Sequence, residues 1–167
     1  MNQTYTKYFA PILFFFLMLL DAQWTHRLLN EGVDPVIWRV HLMLIFMMFA
    51  TRYLPKKYMI IVSLCLGIVF DLYYLGLIGI YAVILPLIIW MMYLVHKFLF
   101  ENIFNLFFGL IIFITSFEIL NVGLQLMFNL ITVNPLYFVT KVLGPTLLLN
   151  MVLFCVSFFP AKKLFWN

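Results

Sequence analysis

Six long apolar segments run along the chain, and short stretches with charged or turn-forming residues separate them. A helix needs about 20 mostly apolar residues to cross the hydrocarbon core of a membrane, so six crossings take up nearly the whole sequence. The pattern therefore predicts an all-α integral membrane protein, a six-transmembrane-helix bundle that forms a single transmembrane domain over residues 1–167. The predicted helices lie at about residues 8–20, 35–50, 59–70, 79–95, 103–128 and 138–159.

The connection between the third and fourth predicted helices has two possible forms. Asp71 interrupts the third apolar segment, and Gly76 and Gly79 follow it before the next segment begins. Irregular backbone at membrane depth is tolerated where it is buried in protein. These two helices could therefore be full crossings or a partly re-entrant hairpin, and the sequence does not decide between the two.

The composition agrees with a lipid environment, because 66% of the residues are hydrophobic and only 10% are charged. Basic residues in short loops favour the cytoplasmic side of a membrane, and the six-helix layout places most of them on one face. We therefore expect a multi-pass protein with both termini in the cytoplasm. The basic residues on that face are Lys7, Arg52, Lys56, Lys57, Lys97, Lys162 and Lys163.

The net charge of +4 does not indicate a nucleic-acid partner. The basic residues follow the predicted loops, and they form no continuous basic face with interleaved aromatic residues. Anionic lipid headgroups are the partners that this distribution favours.

Five ionisable residues lie within the apolar segments or at their ends, and in the predicted layout all five share the outer half of the membrane. A charged side chain at membrane depth costs several kcal/mol on some scales, so each of these residues is a candidate for function or assembly. Three acids and two bases at one level can neutralise each other. We interpret them as an internal polar cluster that ties helices together or receives a partner. They are Asp21, Arg39, Asp71, Glu118 and Lys141.

Two other interpretations of these residues stay open. In the first, Asp21, Arg39 and Lys141 are interfacial residues that reach water, and only Asp71 and Glu118 are buried. In the second, a buried carboxylate takes part in proton-coupled transport, for example Glu118 with His41 or Asp71.

Signatures of an enzyme are absent from the sequence. The three histidines show no paired metal-ligand spacing, and there is no glycine-rich phosphate-binding loop. Serines inside apolar helices usually bond the carbonyl one turn earlier and are not activated nucleophiles. The sequence therefore predicts no catalysis, no metal and no cofactor.

Two short motifs carry a family resemblance. Gly67 stands four residues before Asp71, and Gly76 and Gly79 precede the next apolar segment, which resembles the Gly-x-x-x-Asp hairpin of the rod shape-determining protein MreD family. The sequence Gly-Pro-Thr-Leu-Leu-Leu-Asn at residues 144–150, with Pro145 and Asn150, is similar to the last helix of that family.

A third match is the sequence Leu-Asp-Ala-Gln at residues 20–23, which resembles versions of the family in Gram-positive cocci and bacilli. Ala22 departs from the pattern, because glycine is commoner at this position in the family.

This resemblance implies a non-catalytic membrane scaffold of the bacterial cell-wall elongation machinery, the elongasome, in the cytoplasmic (inner) membrane. Such a scaffold binds MreC and through it connects MreB with the cell-wall polymerase and transpeptidase, supporting rod shape or peripheral peptidoglycan synthesis. Asp71 would fix the hairpin or dock a partner, and the glycines from Gly67 to Gly79 would permit close helix packing. Whether two copies associate as a homo-oligomer stays open.

A second function comes from a different class of protein, the substrate-binding membrane subunits of energy-coupling-factor vitamin transporters. These subunits are similar in layout, with six helices in a chain of similar length, and bind their ligand near the outer face. The first predicted helix argues against this function, because its bulky residues 14–18 offer no stripe of small residues for docking a transport partner.

Overall fold

The computed structural model of the protein describes residues 3–31, 36–75 and 79–165. Within these ranges the regular structure is entirely helical, which confirms the all-α prediction. Two π-helical segments interrupt the regular helices: Asp71–Leu75 continues α3, and Phe138–Leu143 joins α7 to α8. The helices are α1 (Gln3–Glu31), α2 (Leu42–Ala50), α3 (Lys56–Phe70), α4 (Ile80–Leu94), α5 (His96–Leu99), α6 (Ile103–Met127), α7 (Pro135–Tyr137) and α8 (Gly144–Phe165).

Three helical stretches in the described part of the chain are long and apolar enough to cross a membrane. They are Tyr8–Leu28, Ile103–Met127 and Pro135–Phe159, and α4 is apolar but shorter. The protein is therefore an all-α membrane protein, while six complete crossings and the orientation of the termini stay predictions. Helix α2 alone does not span the membrane core, because 9 residues at ~1.5 Å per residue cover less than half of a core that is ~30 Å thick.

The largest difference from the predicted helices concerns the second one. Helix α2 begins at Leu42, and residues 36–41 are not helical, so the prediction of helix from residue 35 is wrong for residues 36–41; Pro35 lies outside the described residues. Side chains and a carbonyl of neighbouring helices bond the backbone of this segment, and these tertiary bonds replace the helical ones.

Two predicted helices are longer in the structure than the apolar pattern indicated. Helix α1 continues past residue 20 to Glu31, because Asp21 and Thr25 bond the backbone of a neighbouring segment instead of ending the helix. The last helical stretch starts at Pro135, three residues before the predicted start, and continues to Phe165.

Helix α2 lies at the centre of the molecule. All nine of its residues are buried, and it packs against α1, α4, α6 and α8. A short helix surrounded by longer ones has an N-terminus inside the protein, where its first N–H groups need partners. The residues that lead into α2 and cap it therefore lie in the interior.

Helices α3 and α4 form a hairpin whose backbones touch at Gly67. A Cβ atom added at Gly67 would lie 2.6 Å from the Tyr81 carbonyl oxygen and 2.7 Å from Ala82 Cα, so only glycine permits this approach. Gly79 precedes α4 with a φ of +127°, a conformation that favours glycine. The predicted close packing is confirmed at Gly67, and Gly76 lies outside the described residues.

We predict that Gly67→Ala lowers the free energy of unfolding by roughly 1–3 kcal/mol, because the added methyl group forces the two helix backbones apart. The matched control is Gly123→Ala in α6, where an added Cβ meets nothing within 4 Å and alanine improves helix propensity. Unfolding of both variants in detergent micelles measures the difference. A Gly67→Ala protein as stable as Gly123→Ala would contradict the close contact.

Candidate functional site

The segment at residues 36–41, the extended segment, bonds the π-helical segment Phe138–Leu143 and α8 through alternate residues. Ile37 N–H donates to the Lys141 carbonyl at 2.8 Å, and Arg39 N–H donates to Thr146 Oγ1 at 3.3 Å. The third bond runs from His41 N–H to Asn150 Oδ1 at 2.8 Å. This alternation is the two-residue period of a β-strand, with a helix in the place of a neighbouring strand.

Three residues in the first turns of α8 explain why these acceptors are available. Pro145 has no N–H, so the Lys141 carbonyl four residues earlier lacks its usual helical donor and accepts from the extended segment. Thr146 and Asn150 are one turn apart and share a helix face. Asn150 also donates to the Arg39 carbonyl at 2.8 Å and to the Thr146 carbonyl at 2.7 Å. Pro145 and Asn150, which the sequence singled out, therefore both act on the extended segment.

Helix α1 bonds the other edge of the segment and the start of α2. Thr25 Oγ1 accepts from Val40 N–H at 3.0 Å. The two oxygens of Asp21 accept from Leu42 N–H and Met43 N–H, each at 2.8 Å. These are among the first amides of α2, so the Asp21 carboxylate caps that helix and lies at the positive end of its dipole.

Glu118 of α6 bonds two side chains of the extended segment. Its Oε2 lies 2.7 Å from Arg39 Nη1, and its Oε1 lies 2.8 Å from His41 Nε2. The Glu118 side chain is fully buried, whereas that of Arg39 is 27% exposed. A buried carboxylate needs such partners, because an unpaired charge in the interior costs several kcal/mol.

Asp71 caps α4 in the way that Asp21 caps α2. Its carboxylate accepts from Gly79 N–H and Tyr81 N–H at 2.9 Å and from Ala82 N–H at 3.0 Å. Asp71 is fully buried. In both helix pairs, α1 with α2 and α3 with α4, an aspartate on or directly after the first helix accepts hydrogen bonds from the N-terminus of the second.

Of the five predicted cluster residues, Arg39 and Glu118 pair with each other as expected, whereas the two aspartates have other partners. Asp71 and Glu118 are buried, as both structural interpretations of the cluster required. Among the described residues the ion pairs join Glu118 to Arg39 and to His41. Mutual neutralisation is wrong for Asp21 and Asp71, because helix N-termini take the place of cations.

Three contributors to this site were missed or undervalued from sequence. Thr25 and Thr146 are ordinary helix residues by type, although the spacing of four between Thr146 and Asn150 was a signal. His41 was considered only as part of a relay with Glu118. Lys141, which was included for its charge, contributes its main-chain carbonyl.

A cavity of about 380 Å³ lies between α1, the extended segment, α4 and α6. Asp21, Thr25, Arg39, Tyr81 and Asn121 are among the polar residues that line it. Among the residues that the structure describes, no group of three or more His, Cys, Asp and Glu side chains could hold a metal ion.

Comparison with known families finds a match that covers nearly the whole chain. The model of the family described as rod shape-determining protein MreD matches residues 2–166. No curated protein and no solved structure matches the chain.

We predict that Asn150→Leu lowers the free energy of unfolding by about 2–3 kcal/mol, because three hydrogen bonds of roughly 1 kcal/mol each are lost. Amide exchange at His41, whose N–H loses its acceptor, should become faster. Hydrogen–deuterium exchange and unfolding in micelles measure both effects. The control is Asn105→Leu, which removes a solvent-exposed hydrogen bond to the Phe98 carbonyl. Equal exchange at His41 in the two variants would contradict the assignment.

We also predict that the two halves of the ion pair respond differently to removal. Arg39→Met leaves the fully buried Glu118 with His41 alone and should cost about 3–5 kcal/mol. Glu118→Leu should cost less, because the partly exposed Arg39 side chain can turn to water. The double variant should recover much of the loss. Unfolding in mixed micelles measures all three, and additive losses without recovery would contradict the pair.

Proposed function

Since the chain belongs to the MreD family of rod shape-determining membrane proteins, we propose that it is a non-catalytic scaffold of the bacterial cell-wall elongation machinery. In this role it binds MreC and through MreC connects MreB with the cell-wall polymerase and transpeptidase. It lies in the bacterial cytoplasmic membrane as a multi-pass protein with both termini in the cytoplasm. The family match over residues 2–166 is the observation that carries the proposal.

The use of the ionisable side chains supports a scaffold. Asp21 and Asp71 each hold the start of a helix, and Glu118 holds the extended segment through Arg39 and His41. These groups fix the relative positions of helices from different parts of the chain. A protein that positions partners in a membrane needs such a fixed surface.

Asp71 contributes to partner binding indirectly in this proposal. Its side chain has no exposed area, so a partner cannot contact it directly, whereas Val69 and Leu72 beside it are 40% and 57% exposed. The Asp71 carboxylate fixes the hairpin, and the hairpin presents these apolar side chains to the transmembrane segment of a partner.

The vitamin-transporter function gains no support from the family match. The match joins the chain to proteins that determine cell shape.

We predict that Asp71→Ala reduces the amount of MreC that co-purifies with the protein from membranes by about tenfold. Three amides at the start of α4 lose their acceptor, and a loss near 1.4 kcal/mol in binding corresponds to that factor. Co-purification normalised to the amount of protein in the membrane is the measurement. Complementation of rod shape in cells that lack the native protein gives a second readout.

Glu101→Ala, at an exposed position before α6, is the control and should retain both MreC and rod shape. An Asp71→Ala protein that reaches the membrane in normal amounts, keeps MreC and restores cell shape would contradict the proposed role of the hairpin.

A further inference from the structure

Several hydrogen-bond donors around the cavity have no partner in the described part of the chain. Asn121 is only 2% exposed; its Oδ1 accepts from Gln125 Nε2 at 2.7 Å, and its own NH2 group donates to no described residue. The Tyr81 hydroxyl likewise has no partner there, although the ring stacks on Phe70 with centroids 4.1 Å apart. Arg39 bonds Glu118 through Nη1 only, which leaves its Nε and Nη2 donors unused.

These donors border the empty volume. In the described residues, no side-chain nitrogen or oxygen that is sealed from solvent lacks a hydrogen bond. The Asn121 amide nitrogen and the Tyr81 hydroxyl have no bond and must therefore touch open space, and both residues line the cavity. An occupant that accepts hydrogen bonds would satisfy them.

The charges around the cavity favour an uncharged occupant. The charge of Arg39 is already paired with Glu118, and the Asp21 carboxylate lies at the N-terminus of α2. An added anion would meet the Asp21 carboxylate and an Arg39 that Glu118 already neutralises, and an added cation would face the Arg39 guanidinium and the unused donors. A neutral carbonyl oxygen avoids both penalties.

The volume sets the size of the occupant. An engineered cavity of about 150 Å³ holds one benzene ring, so 380 Å³ holds about 15 non-hydrogen atoms on the same scale. Most of the remaining wall is apolar, with Met18, Phe70 and Phe117 among its residues, and His26, His41 and Gln125 add polar atoms. Apolar walls with a few convergent polar groups are typical of small-molecule sites.

We propose that this cavity binds an uncharged amphipathic molecule whose ester or amide carbonyl accepts hydrogen bonds from Asn121, Tyr81 and Arg39. This binding site is additional to the proposed scaffold function, and experiments can disprove either proposal without the other. A carbonyl on a short apolar chain can come from the acyl ester of a membrane lipid or from a soluble small molecule.

The test uses the full-length protein in dodecyl maltoside micelles with three probes of equal chain length. N,N-dimethylhexanamide supplies a neutral carbonyl acceptor, hexanoate supplies an anion, and hexyltrimethylammonium supplies a cation. We expect a saturable rise in the unfolding temperature with the amide and a smaller or no rise with the two ions. Equal shifts for all three probes, or no shift with the amide, would overturn the proposal.

Variants separate binding in the cavity from general effects of the probes on micelles. Asn121→Leu and Tyr81→Phe should each raise the half-saturating amide concentration by about tenfold, the factor for a lost hydrogen bond of roughly 1.4 kcal/mol. Tyr93→Phe, whose hydroxyl donates to the Leu54 carbonyl outside the cavity, is the control and should leave that concentration unchanged. An identical response of all three variants would contradict the site.

A cavity-filling variant keeps the test independent of folding defects. Ala22 lines the cavity, so Ala22→Leu should abolish the amide-induced shift without lowering the unfolding temperature of the protein alone. Retention of the full shift in Ala22→Leu would overturn the proposal.

Native mass spectrometry of protein extracted from membranes then distinguishes the two sources of the carbonyl. A co-purifying lipid mass that disappears in Asn121→Leu identifies a lipid ester, and no such mass together with the amide shift identifies a soluble molecule.

Discussion

Backbone that is not helical can exist at membrane depth only if its N–H and C=O groups find partners within the protein. The extended segment at residues 36–41 meets this requirement through α8 on one edge and α1 on the other. Its side chains at positions 39 and 41 bond Glu118 of α6. One short segment thereby joins three of the long helices, and the buried α2 follows directly from it.

The same requirement explains why aspartates occupy two positions in such an apolar chain. A helix that begins inside the protein exposes N–H groups with no helical partner, and Asp21 and Asp71 supply the missing acceptors for α2 and α4. The partial positive charge at each helix N-terminus in turn stabilises the negative charge of the carboxylate. Helix ends and acidic side chains thus stabilise each other without further cations, which leaves Arg39 for Glu118.

The sequence predicted the parts of this arrangement that depend on the local pattern of residues or on the free-energy cost of burying a charge. Apolar length identified the three helical stretches that are long enough to cross a membrane, the cost of buried charge identified Asp71 and Glu118, and the small size of glycine indicated the close contact at Gly67. The extended conformation of residues 36–41 could not be predicted, because Val36, Ile37 and Val40 are as apolar in a helix as in a strand. The conformation is decided by Thr25, Thr146 and Asn150, which are distant in sequence.

The central claim is that the chain is extended between α1 and α8 immediately before α2. Solid-state NMR in lipid bilayers tests it directly, through the distance between a ¹³C label at Ile37 and a ¹⁵N label at His41. An extended backbone separates these positions by roughly 13 Å, at ~3.3 Å per residue. A distance of about 6 Å, the value for a helix at ~1.5 Å per residue, would contradict the account.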